Sequence, residues 1–210
     1  MKYFTAISAG LALAGLTAAA PLESRQVKSA ADQIAEIAPL SVSCSDGVGG
    51  ADCRNNTAIA PLFIDALKQY KLEYPGQIAA VLALTAYETS QYKYKHNISP
   101  GRPGQGTSNM QMINFNIEYA NSITALKDKV AALGTIDTDD KKNQLLALVN
   151  VDKYNFGSGP WFLTTQCPNV VKQLAAGTDA GFTAYMECVG VTAGDDRLAY
   201  WTRAKKAFSL

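Results

Sequence analysis

From Ile78 to Tyr87 the chain reads Ile-Ala-Ala-Val-Leu-Ala-Leu-Thr-Ala-Tyr, with two hydroxyl-bearing residues, Thr85 and Tyr87, and no charge until Glu88. Such a run is apolar on nearly every face, so as a helix it belongs in the middle of a core rather than on its surface. Pro75-Gly76 precedes it and opens the helix. The rest of the chain therefore has to wrap around this segment. Glu88 stands where the apolar helix ends. A carboxyl at that position is partly desolvated, which raises its pKa toward the range a general acid needs near neutral pH. The adjoining stretch, Thr89 to Met112, is rich in Gly, Tyr and Asn and holds no Asp or Glu.

Other segments carry helical periodicity. Ile59, Leu62, Phe63, Ala66, Leu67 and Tyr70 recur at helical spacing, with Thr57 as the expected N-cap. A helix is predicted over 116–133, ended by Gly134. Another starts at an Asp137 or Thr138 cap and is carried by Leu145, Leu146, Leu148 and Val149. Phe182, Tyr185, Met186 and Val189 mark a further helix, and Asp195-Asp196 opens the last, with Leu198, Trp201 and Ala204. Residues 93–112 are too rich in Gly, Pro and Asn for a helix and read as a loop with a short irregular hairpin. Asn155 to Gly159 reads as a tight turn. The fold class expected is mainly α (α+β): one helical domain with a small irregular β-hairpin element.

Lys2, the small apolar stretch Phe4 to Gly15 and Ala18-Ala19-Ala20 form the pattern of an export signal over 1–20. Residues 21–38 are either a pro-segment, with a second cut after Arg25, or an N-terminal helix, and 39–210 form the main domain. A secreted, extracellular protein is expected. The formal net charge is +1, and without residues 1–20 acids and bases balance. No strong field draws the chain to nucleic acid or to an anionic membrane, so neither is expected as a partner. An even set of cysteines in an exported chain implies disulfides. Nearest-neighbour pairing gives Cys44–Cys53 and Cys167–Cys188. A zinc site is disfavoured because the chain lacks C-x-x-C spacing and has one histidine, His96, which reads as an exposed loop residue. Asn55-Asn56-Thr57 and Asn97-Ile98-Ser99 are glycosylation sequons, at Asn55 and Asn97.

Three segments occur in order: Tyr87-Glu88-Thr89-Ser90-Gln91-Tyr92, Gly104-Gln105-Gly106-Thr107-Ser108-Asn109-Met110-Gln111, and Tyr154-Asn155-Phe156-Gly157. With a closing helix bearing Arg197, Tyr200 and Trp201, they resemble the catalytic domain of goose-type lysozymes and soluble lytic transglycosylases over about Pro75 to Phe208. The chain departs from the family's pattern at Ser108-Asn109 and at Phe156. The resemblance implies a lysozyme-like fold with Glu88 as the catalytic acid. It also implies Thr89, Gly106, Met110, Gln111, Tyr154 and Asn155 as substrate-binding residues.

On this reading the chain is a secreted glycoside hydrolase, a muramidase or lytic transglycosylase. It cuts the N-acetylmuramic acid to N-acetylglucosamine linkage of bacterial peptidoglycan. Its partner is that polysaccharide strand, it is a monomer, and no cofactor or metal is expected. Many glycosidases use two carboxylates. Asp152 is the candidate for the second, against a structural role as a capping or surface acid. The alternatives are a chitin- or chitosan-cleaving hydrolase on the same fold and a non-catalytic secreted glycan-binding protein. Trp161 and Trp201 read as core residues before cleft residues.

Overall fold

A computed structural model describes residues 28–210. The proposed export signal and the Arg25 cut lie outside the described residues. The architecture is mainly α, as the periodicities indicate. The helices are α1 (Ala30–Ile37), α2 (Asn56–Gln69), α3 (Pro75–Glu88), α4 (Ile113–Ser122), α5 (Lys127–Leu133) and α6 (Asp139–Val149). They continue with α7 (Asp152–Asn155), α8 (Ser158–Thr165), α9 (Pro168–Leu174), α10 (Asp179–Cys188) and α11 (Asp195–Phe208). The β element among the described residues is reduced to two isolated antiparallel bridges, His96 with Gly106 and Gly106 with Gln111.

The apolar run forms α3 and sits at the centre. Every residue from Ala79 to Ala86 is buried. Small side chains at Ala79, Ala80, Ala83 and Ala86 let neighbouring helices come close, and α3 packs against α1, α8, α9 and, most extensively, α11. Burying each larger side chain of this run, such as Leu82 or Leu84, stabilises the fold by about 1.5–3 kcal/mol. The start of α3 is fixed by Gln77. Its Oε1 accepts from the backbone N–H groups of Glu73 and Tyr74, and its Nε2 donates to Val171 O at 2.9 Å. Gly76 is required there: a Cβ would lie 2.0 Å from Leu174 O.

Several boundaries differ from the sequence expectation. Asn55, not Thr57, caps α2: its Oδ1 accepts from Ala58 N at 3.0 Å and from Thr57 Oγ1. The predicted helix over 116–133 is two helices, broken where Ile123 turns extended before a short 3₁₀ turn at Thr124–Leu126. Two branched side chains, Ile123 and Thr124, sit at that break and weaken continued helix. Thr138 caps α6. The tight turn expected at 155–159 is the junction of α7 and α8.

Cys44 is bonded to Cys53 and Cys167 to Cys188. The first pair closes a loop that is anchored by buried Lys93, whose Nζ donates to Ser43 O at 2.8 Å and pairs with Asp46 at 2.7 Å. The second joins the start of α9 to the end of α10. Two disulfides are compatible with an oxidising, secretory setting. No helix among the described residues is long and apolar enough to cross a membrane. Trp161 and Trp201 are both core residues. Trp201 stacks flat on Phe182 with centroids 4.8 Å apart and donates through Nε1 to Asp179 at 2.7 Å.

Candidate acid–base cleft

Glu88 is the last residue of α3, and the turn beyond it sets its direction. Ser90, Gln91 and Tyr92 have φ of +50°, +62° and +67°, a left-handed turn built without glycine. Such residues cost energy individually and persist only where the surroundings over-determine them. Here Thr89 Oγ1 donates to Thr85 O and accepts from Tyr92 N at 2.8 Å. Gln91 N donates to Ala86 O at 2.7 Å. The Tyr92 ring is buried edge-on against Phe63. Thr89, expected to bind substrate, is therefore buried and occupied in holding the turn.

Two recesses meet at Glu88. One, of about 310 Å³, is walled by Leu84, Met110, Met112, Phe115, Phe162, Val189 and Val191, with Arg102, Gln105, Asn109, Gln111 and Arg197 among its polar groups. The other, of about 380 Å³, is lined by Ser90, Tyr94, His96, Asn97, Ile98 and Ser99. Glu88, Gln105 and Met110 belong to both, so they form one cleft with an end of evenly mixed lining and a more polar end.

The floor is the segment from Gly104 to Gln111. Asn116, fully buried, donates through Nδ2 to Gly104 O and Gln111 O, and its Oδ1 accepts from Gln111 Nε2 at 2.9 Å. Met110, at φ +44°, is turned into the cleft by this anchoring. Gly106 does not line the cleft. A Cβ there would meet Lys95 O at 2.7 Å and Leu146, so the floor packs closely on its support at this point.

Glu88 retains 22% side-chain exposure, and Arg197 of α11 reaches its Oε1 at 3.3 Å. Burial pushes the Glu88 carboxyl up, the Arg197 charge and hydrogen bond oppose this, and Asp196 adds to the rise. The net shift is upward. Arg197 also lies over the Tyr87 ring, 4.3 Å from its centroid, while Tyr87 donates its hydroxyl to Asp196 at 2.5 Å. Arg197 Nε, Gln105 Oε1 and Asn109 Oδ1 are buried with no partner among the described residues.

Asp152 is not in this cleft. It is paired with Lys95 and, at 2.8 Å, with Arg54. Partial burial would raise its carboxyl, but the hydrogen bonds and charges of Lys95 and Arg54 outweigh that and hold it below the ordinary range. Tyr154 and Asn155 do not line the cleft either. Tyr154 O accepts from Tyr119, and Tyr154 borders a separate recess of about 480 Å³ with Asp65 and Lys153. Asn155 is buried; its carbonyl accepts from Ser108 and Ser158, bracing the floor from beneath. Asn55 is the α2 cap, and Asn97 Oδ1 accepts from Gly101 N at 2.8 Å in the cleft rim. Among the described residues no group of three His, Cys, Asp or Glu side chains could hold a metal ion. Arg102, Phe115 and Phe162 were not marked by sequence, and Arg197 only as a member of the closing helix. Each stands alone on its helix or loop, and only packing brings it to Glu88.

No family model matches the chain, and no solved structure matches it. Over 158 residues, 73% of this chain, it is 48% identical to a Fusarium oxysporum protein named bifunctional dioxygenase (DOX)-epoxy alcohol synthase (EAS). The match spans 12% of that protein's length. This relative overturns the resemblance to goose-type lysozymes and lytic transglycosylases. With it go the muramidase, peptidoglycan-hydrolase and chitin-cleaving readings and the glycan-binding alternative. The geometry gives the reason the motifs misled. Glu88 to Tyr92 is shaped by a left-handed turn, Gly104 to Gln111 by close packing, and Tyr154 to Gly157 by a helix junction. Short motifs of this kind record backbone requirements that unrelated functions share.

Proposed function

We propose that this chain is an acid–base module that binds an uncharged, oxygenated ligand and uses Glu88 to deliver a proton to a ligand oxygen. The observation that carries the reading is Glu88 itself: a largely buried carboxyl with a raised pKa where the mixed and the polar ends of one cleft meet. A carboxyl that keeps its proton longer than an ordinary glutamate is suited to general-acid work. Arg197 holds it without fully pairing it. The mixed lining favours a ligand with hydrocarbon and hydroxyl parts. The relative's name supplies a class that fits, an epoxy alcohol, whose ring oxygen accepts a proton as it opens. The chain matches only 12% of that relative, and the reading covers acid–base isomerisation alone. We take the protein to be exported, which the N-terminal pattern and two disulfides support.

The test uses straight-chain epoxy alcohols of increasing length, with the hydroxyl on the carbon next to the ring. Products are followed by NMR and mass spectrometry. Wild-type protein is expected to give an isomer of unchanged mass. Glu88→Gln, which keeps the size but carries no proton to give, should be slower by about 10²–10⁴-fold. The reading is overturned if no member of the series is converted, or if Glu88 titrates at or below an ordinary glutamate in carboxyl NMR.

A further inference from the structure

The polar end of the cleft holds a second proton-handling group. His96 Nδ1 lies 2.6 Å from Asp52 Oδ2. A carboxylate only accepts hydrogen bonds, so Nδ1 carries the hydrogen, and in the neutral form of the ring the lone pair is on Nε2. Nε2 has no hydrogen-bond partner among the described residues, and the ring, 48% exposed, borders the recess that Glu88 borders. The pair is held on both sides. The His96 backbone is bridged to Gly106, and Asn97 N donates to Gln105 O at 3.1 Å. Asp52 Oδ2 also accepts from Lys95 N at 3.0 Å, and Asp52 precedes Cys53 of the first disulfide. A ring oriented by a carboxylate, with the half-buried Glu88 carboxyl bordering the same recess, is the arrangement that can move one proton off a ligand and another onto it.

We propose that His96 is the catalytic base that works with Glu88, and that Asp52 is its positioning residue. The inference rests on the acid–base reading of Glu88. In the step it implies, His96 Nε2 takes the proton of the ligand hydroxyl. The freed oxygen attacks the adjacent ring carbon and forms a new C–O bond. The old ring C–O bond breaks, and Glu88 gives its proton to the released oxygen. The product is the isomeric epoxy alcohol, with the epoxide moved by one carbon. No water and no electrons enter or leave. His96 then loses its proton and Glu88 regains one through solvent.

The chain contains one histidine, so its ring is directly addressable. Nitrogen NMR of the wild-type protein is expected to show the Nδ1–H tautomer, and Asp52→Asn should shift it toward a mixture. His96→Gly should lower epoxide migration by about 10²–10⁴-fold, and added imidazole should restore part of the rate. Rescue by imidazole is not expected of a merely structural histidine. A dominant Nε2–H tautomer in wild type overturns the proposal. So does a folded His96→Gln protein with full activity while Glu88→Gln is inactive, an outcome that leaves the Glu88 reading standing. If wild type converts no epoxy alcohol, both fall together.

Discussion

At the scale of single residues, two carboxyls are driven in opposite directions. Glu88 is raised because burial outweighs Arg197; Asp152 is lowered because Lys95 and Arg54 outweigh burial. The consequences for stability have opposite signs. For Glu88, the unfolded chain ionises first, so between its unfolded and folded values the native state holds the extra proton. Stability therefore falls as pH rises through that window. Glu88→Gln removes this loss. Thermal melts from about pH 4 to about pH 8 should show the variant gaining on wild type as pH rises. Asp152 stabilises the fold above its unfolded value, and that contribution is lost as pH falls through its lower folded value. Asp152→Asn leaves the largely buried Lys95 ammonium without its carboxylate. The cost expected is about 1–2 kcal/mol at neutral pH, below that of a fully buried pair because Asp152 is itself open to solvent. Denaturant titration measures it. Turnover should fall by less than about tenfold, since Asp152 is outside the cleft.

At the scale of elements, the periodic helices were legible and the places where geometry is unusual were not. The α3 run has too few polar residues to sit anywhere but in a core, and hydrophobic burial alone makes it central. Pro75-Gly76 reads in sequence as the opening of this helix, but nothing there shows how tightly Gly76 is packed. In the folded chain it is the second residue of α3, pressed against the Leu174 carbonyl. Gly76→Ala should destabilise the protein by about 1–3 kcal/mol, since backbone must shift to admit a methyl group. Chemical denaturation of the variant checks it, and a cost near zero would mean that α9 gives way freely. The turn after Glu88 was similarly hidden. Ser90, Gln91 and Tyr92 carry no glycine signal, and their left-handed backbone is imposed by bonds to Thr85, Ala86 and Thr89 and by burial of the Tyr92 ring.

At the scale of the whole molecule, the second disulfide spans 21 residues and ties α9 to α10 beneath the apolar wall formed by Val189 and Val191. Replacing Cys167 and Cys188 together by Ser should cost about 2–4 kcal/mol, mostly by freeing the unfolded chain. Equilibrium unfolding in denaturant reads the loss, and a matched loss in reduced wild type would assign it to the bond rather than to the new hydroxyls. By itself the sequence determined the mainly helical class, the burial of α3 and the position of Glu88 at its rim. Those follow from hydrophobic periodicity, which is a local property. Which side chains meet Glu88 was decided only by tertiary packing. Arg197 arrives across 109 positions, and Asp52 meets His96 across 44. Asp152, near Tyr154 in sequence, is drawn off to Lys95 and Arg54 instead. Electrostatic pairing depends on distance in space, and sequence spacing carries that information only within a helix turn or a tight loop.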